Sequence, residues 1–171
     1  MVPDLGRRPA AMRSQEKRLS IDGNYRDPER SAGYQVRRCH RRFDRLLTSY
    51  LAPHGLKTGF WYYLRILWIE DGVSQKHLSA LTNVAENTTA SLLNMMVADG
   101  LVTRTRDEHD GRKFRIHLTE KGRALESELI DYAGDINRVA SAGIEPGEMD
   151  ICLSVLRGMS DNLADAFEGL S

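Results

Sequence analysis

Residues 81–125 read LTNVAENTTASLLNMMVADGLVTRTRDEHDGRKFRIHLTEKGRAL, and the reading of this stretch decides the fold. Its hydrophobic period changes twice. Thr89, Leu92, Leu93 and Met96 recur at helical spacing, which leaves Glu86, Asn87, Ser91 and Asn94 on another face. The helix runs to about Asp99, and Gly100 is its stop. Phe114, Ile116 and Leu118 then alternate with Lys113, Arg115 and His117, the period of a strand with one apolar and one basic face. With residues 102–106 this makes a hairpin, whose tip holds Asp107, Glu108, His109 and Asp110-Gly111-Arg112. After it, Thr119 caps a long amphipathic helix over about 119–142, with Leu125, Leu129, Ala133, Ile136 and Ala140 in register.

Working upstream, Ser74 caps a short helix that ends near Leu81, and Val73 is placed to staple onto Leu78. Thr82-Asn83 makes a turn, and Asn83 with Glu86 has the spacing of a capping box for the next helix. A short helix, a tight turn and a second helix form a helix-turn-helix, and a hairpin directly behind it is a wing. Two more helices precede it. One covers about 31–51, with Val36, Cys39/His40, Phe43, Leu46/Leu47 and Tyr50 at helical spacing; the other covers about 58–70, with Phe60, Trp61, Leu64, Leu67 and Trp68 apolar. Pro53-His54-Gly55 separates them, and Asp71-Gly72 stops the second. Residues 1–30 are polar with Pro3, Pro9 and Pro28, and are read as a flexible arm with a short helix near 10–19. Pro146 suits the first turn of a last helix, about 146–168, whose apolar line is Met149, Leu153, Leu156, Leu163 and Phe167. The fold class is therefore mainly α with a small β-hairpin wing.

Composition narrows the functions. The 171 residues suffice for one domain with a core, and 41% hydrophobic with 28% charged residues is ordinary for a globular chain. There is no apolar run of membrane-spanning length and no secretory signal. Cys39 and Cys152 lack CxxC spacing, and the five histidines lack ligand spacing, so neither a disulfide scaffold nor a metal site is expected. Together these lead us to expect a cytoplasmic protein. No nucleophile–base set, P-loop or GxGxxG occurs, and the acids at 107–110 sit on a loop tip without a pocket; no enzyme activity and no cofactor are expected. The zero net charge hides an asymmetry: residues 35–45 carry a net +4, residues 100–123 a net +3 and residues 125–171 a net −8. An anionic partner is drawn to the middle of the chain and repelled by its C-terminal end.

The ordered set of recognition helix, "GLV.R" strand entry, "D..DGR" wing and "LTEKG" resembles the MarR family of winged helix-turn-helix regulators, over about residues 31–168. The resemblance implies a homodimer that binds double-stranded DNA, nucleoid-associated when bound, and acts as a repressor. It assigns residues 57–118 to the DNA-binding domain, and residues 31–56 and 119–171 to a helical dimerisation region. It implies a recognition helix in the major groove and a wing at the minor groove, and release by a small, often aromatic ligand. The DNA-contacting positions it suggests are Ser74, Lys76, Asn87, Thr88, Ser91, Asn94, Arg104, Asp110, Arg112 and Lys113. Arg112 suits a narrow minor groove, with Asp110 holding its direction. Asn pairs bidentately with adenine and Thr touches a thymine methyl. The recognition helix departs from many relatives, which have an arginine where Ser91 stands; its exposed face holds no lysine or arginine, so weaker or A·T-biased binding is expected.

For a ligand, "TGFWYYLRILW" places Trp61, Tyr62 and Arg65, with His54 and His40, where the family has its cleft, and an aromatic wall with a cation suits a small aromatic acid. The same aromatics at helical spacing also fit plain core packing. Two alternatives stand beside this reading. One is an interaction module that captures another regulator with little DNA binding, motivated by the recognition helix without cations. The other is a redox-sensing regulator acting through Cys39, whose setting "RRCHRR" favours thiolate.

Overall fold

The structure, a computed structural model, describes residues 27–107 and 114–170. The chain divides into two compact units, Met1–Arg42 and Phe43–Ser171. In the first, a 3-10 turn (Pro28–Arg30) is capped by the Asp27 carboxylate, which accepts from the Glu29 N–H at 3.0 Å. The turn leads into helix α1 (Ala32–Leu51), and Arg38 pairs with Glu29 at 2.9 Å. The arm up to residue 26, including the short helix expected near 10–19, lies outside the described residues. The apolar stripe expected along α1 is covered only in its second half. Val36, Cys39 and His40 are exposed, Phe43, Leu46 and Tyr50 are partly buried, and Leu47 and Leu51 are buried.

The second unit is built around α2 (Thr58–Ile69). Its sequence is apolar on most sides, and only Tyr62, Arg65 and Ile69 of it are exposed. Phe60, Tyr63, Leu64 and Leu67 face one core, with Val73, Leu78, Leu93, Met96, Leu101, Val102, Ile116 and Leu118. Trp61 turns to a second core, with Leu47 and Leu51 of α1 and with Leu129 and Ile136 from the helix Glu120–Ala140. Two clusters on adjacent faces of one helix, with Trp68 packed against both, make α2 the axle of the unit.

Helix α3 (Gln75–Thr82) starts where the sequence places it: the Ser74 hydroxyl accepts from the His77 N–H at 3.1 Å. The capping box expected from Asn83 and Glu86 does not form. Asn83 is used instead to end α3, with φ +52°, a left-handed conformation that asparagine tolerates. Helix α4 (Glu86–Ala98) therefore begins at Ala85 with no side-chain cap. Thr89, Leu93 and Met96 are its buried stripe, and Gly100, φ +68°, follows its end as expected.

The wing has one strand more than the sequence suggests. Strands β2 (Val102–Arg106) and β3 (Phe114–Leu118) pair antiparallel, and β1 (Val73–Ser74) adds to the other edge of β3, with Val73 opposite Ile116. Two residues carry no readable period, which is why β1 was hidden. Ile116 and Leu118 are buried, but Phe114, expected on the same face, is 44% exposed because it lies beyond the end of the core.

Helix α5 (Glu120–Ala140) buries Leu129 and Ile136 and partly covers Leu125 and Ala133, while Ala140 is exposed. Helix α6 (Pro146–Glu168) matches its expected span and buries nothing among the described residues. No helix among them is long and apolar enough to cross a membrane.

Candidate nucleic-acid interface and ligand cavity

The motif LTEKG explains how the wing is mounted. Thr119 caps α5, its hydroxyl accepting from the Gly122 N–H at 3.1 Å and donating to the Gly100 carbonyl at 2.7 Å. Lys121 donates to the Asp99 carbonyl at 2.8 Å, a cation on the C-terminal end of α4. Gly122 is required by close approach: a Cβ there would overlap the Leu101 carbonyl oxygen. Its own carbonyl accepts from Trp68 Nε1 at 2.9 Å. Thus α2, α4, β2 and α5 meet at this one turn.

Asp71 is a second junction, missed by a reading that saw only a helix stop. One carboxylate oxygen accepts from the N–H groups of Gly72 at 3.0 Å and Leu118 at 2.8 Å; the other takes Arg123 at 2.7 Å, with His117 Nδ1 at 3.9 Å. Burial pushes its pKa up, but the Arg123 hydrogen bond, the two backbone donors and the Arg123 charge outweigh this and hold it below the ordinary carboxylate value. Beside it, Arg115 bridges Asp107 at 2.7 Å and the Gly72 carbonyl at 2.9 Å, tying the wing base to the entry of β1. Asp-Gly with Gly at φ +77° is the signal that could have flagged this turn.

The suspected DNA-contacting residues fall into three groups. Lys76, Asn87, Thr88, Ser91 and Asn94 are exposed, the last four on one helix, α4. Three residues have local bonds. Ser74 caps α3, the Ser91 hydroxyl donates back to the Asn87 carbonyl at 3.0 Å, and Arg104 turns its guanidinium onto the Ala90 carbonyl at 3.4 Å with its Nε buried and unpartnered. Asp110, Arg112 and Lys113 lie outside the described residues.

Of the suspected ligand residues, the structure brings three together. Trp61, Tyr62 and Arg65 line a cavity of about 110 Å³ with Phe43, Leu47, Ala133, Ile136 and Asn137. Arg65 lies 5.8 Å from the Trp61 ring centre, a cation–π distance. The Tyr62 hydroxyl donates to Asp44 at 2.8 Å. Burial first, then that hydrogen bond and the Asp44 charge, raise its pKa to about 12, with Arg65 opposing, so the phenol is neutral at physiological pH. His54 is not among the lining residues; its Nε2 meets the Tyr132 hydroxyl at 2.9 Å and its Nδ1 faces Glu128 at 3.4 Å. His40 belongs to the first unit and is exposed.

The MarR family model matches residues 54–113. The chain is 32% identical over 122 residues to the HTH-type transcriptional regulator TtmR of Methylorubrum extorquens, a match covering 71% of this chain and 58% of that protein, so it spans little more than half of that relative's length. A MarR-family regulator from Silicibacter pomeroyi has a solved structure that matches with a TM-score of 0.68 and 30% identity, over 80% of this chain and 92% of that one. The structure of BpsR from Bordetella bronchiseptica, whose DNA binding is regulated by 6-hydroxynicotinic acid, matches with a TM-score of 0.71 and 25% identity, over 77% of this chain and 94% of that one.

Proposed function

The chain belongs to the MarR family of transcriptional regulators, and from that premise we propose that it binds double-stranded DNA as a homodimeric repressor on a pseudo-palindromic operator, and that a small aromatic acid releases it. The observation that carries the proposal is the pairing of an exposed polar helix face with a nearby aromatic cavity. Asn87, Thr88, Ser91 and Asn94 stand out on α4, mounted on the same rigid α2 that lines the cavity with Trp61, Tyr62 and Arg65. The polar face reads base edges. The cavity stacks an aromatic ring on Trp61 and offers the Arg65 guanidinium to a carboxylate, while neutral Tyr62 adds no repulsion. Control of BpsR by a heteroaromatic acid supports this ligand class.

DNA from the gene's own promoter, titrated at several salt concentrations, tests the DNA arm, and the affinity falls with salt as phosphate contacts require. Benzoates and hydroxynicotinates added to the complex weaken it by roughly 5- to 150-fold, the usual range of allosteric coupling. Binding that ignores both salt and sequence would refute the DNA arm. Unchanged tryptophan fluorescence and operator affinity across those acids would refute the ligand arm.

A further inference from the structure

Tyr63 and Thr89 are the most deeply placed polar pair in the unit. Tyr63 is 1% exposed and Thr89 is fully buried, and both sit in or beside an otherwise apolar core of Phe60, Leu64, Leu67, Leu93 and Met96. Their hydroxyl oxygens are 2.9 Å apart. Thr89 Oγ1 donates to the Val84 carbonyl at 3.4 Å, and Ser79 Oγ donates to that same carbonyl at 2.5 Å. With the threonine proton directed to Val84, the phenol supplies the proton between Tyr63 and Thr89. The chain of bonds runs from Tyr63 through Thr89 to the Val84 carbonyl, in the turn between α3 and α4. Val84 is further fixed by its N–H, which donates to the Ser79 carbonyl at 3.1 Å. One phenol on α2 thereby holds both the helix-turn-helix turn and the first turn of the recognition helix.

The other side of α2 lines the cavity. Residues advance about 100° each around a helix of 3.6 residues per turn, so Tyr63 lies roughly opposite Trp61 and Arg65. A helix moves as a rod, so a ligand that shifts Trp61 or Arg65 shifts Tyr63. Phe and Val in place of Tyr63 and Thr89 would fill the same space without burying two hydroxyls. Those hydroxyls are tolerated only when bonded, which makes the contact either made or broken rather than graded.

We propose that the Tyr63–Thr89 hydrogen bond is a strut that positions the recognition helix for DNA and transmits occupancy of the cavity to it. The transmission half rests on the regulator reading above; the positioning half does not. Tyr63 and Thr89 touch neither ligand nor DNA and act through α4.

The experiment compares the parent with Tyr63→Phe, Thr89→Val, the double variant and Thr89→Ser. Three quantities are read: operator affinity, the ratio of operator affinities without and with benzoate or 6-hydroxynicotinate, and amide hydrogen exchange in residues 84–93. Tyr63→Phe and Thr89→Val are expected to weaken operator binding by roughly 2- to 30-fold and bring the ligand ratio toward one. Both should quicken exchange in 84–93 while leaving β2 and β3 unchanged. The double variant should match Thr89→Val, because the Tyr63–Thr89 bond is lost once and Thr89→Val also removes the longer bond to the Val84 carbonyl. Thr89→Ser, which keeps the hydroxyl, should restore all three readouts, a rescue that simple loss of packing does not produce. Parent-like exchange in Tyr63→Phe, or losses that multiply in the double variant, would overturn the strut. If the parent ignores the ligands or the DNA, the regulator reading fails in that arm, and hydrogen exchange still decides the strut. Should Tyr63→Phe fail to fold, Thr89→Val against Thr89→Ser decides it.

Discussion

Single residues fix how the wing is held, and two of them make opposite predictions about glycine in one helix. Gly122 faces the Leu101 carbonyl so closely that a methyl group has no room, whereas Gly134, also in α5, has nothing within 4 Å. Gly122→Ala is expected to destabilise the protein by about 1–3 kcal/mol, the range for overpacking. Gly134→Ala should stabilise it by about 0.5–1 kcal/mol through helix propensity. Denaturant melts of the two variants check both signs. Asp71 gives a pH prediction. Its folded carboxyl titrates below the ordinary 3.8, so its contribution is present above that pH and is lost as acid protonates the folded group. Asp71→Asn should cost about 1–2 kcal/mol at neutral pH, and the gap from the parent should close as the pH falls below 3.8; a gap independent of pH would show that the Arg123 pair contributes nothing. Neither residue's role was legible in the sequence. Thr119 could be read as a cap because its partner is three residues away, but the partners of Asp71 and Gly122 lie 47 and 21 residues away, at Leu118 and Leu101.

Elements were easier to read than junctions, because periodicity is local and packing is not. The spans expected for α1, α2, α4 and α6 agree with the structure to within a residue or two. What failed had a competing use. Asn83 ends one helix instead of capping the next, and β1 is too short to show a period. Among the site residues, the exposed face of α4 is legible as the polar remainder of an amphipathic helix, while the bond from Arg104 to the Ala90 carbonyl joins residues 14 apart and has no local sequence signal. That face of α4 holds no cation, so we expect the charge for DNA to come from the wing and from residues elsewhere. Arg112→Ala should leave folding within about 0.5 kcal/mol and weaken binding by roughly 1–3 kcal/mol. The loss should be greater on A·T-rich flanks, where the minor groove is narrow. Lys113→Ala should weaken all sequences equally and lower the salt slope by about one unit. Titration on operators that differ only in their flanks separates the two. Parent-like binding by Arg112→Ala would remove the wing from the DNA interface.

At the scale of the molecule, α6 carries a long exposed apolar stripe and has no buried residue among the described ones. Leu153, Leu156, Leu163 and Phe167 are 45%, 40%, 69% and 73% exposed. They fall on one side of the helix, and the acids Asp150, Asp161 and Asp165 fall on the other. A continuous apolar stripe of this length is rare on the surface of a monomer. Val36 and Tyr34 on α1 are exposed in the same way, at 44% and 43%. We expect a second copy to cover the α6 stripe, because like faces meet across a two-fold axis and the acids stay in water. The protein is therefore expected to sediment as a dimer at micromolar concentration. Its recognition helices should contact half-sites about one helical turn, roughly 10 bp, apart. Leu156→Glu with Leu163→Glu places two carboxylates of each protomer in the shared core. The pair should dissociate the dimer while the helical signal of the second unit persists. Operator affinity should then fall more than tenfold, since a monomer engages one half-site and loses the high effective concentration of the second. A parent that sediments as a folded monomer, or a double-glutamate variant that stays dimeric on the operator, would place the dimer interface elsewhere and leave the α6 stripe to a different partner.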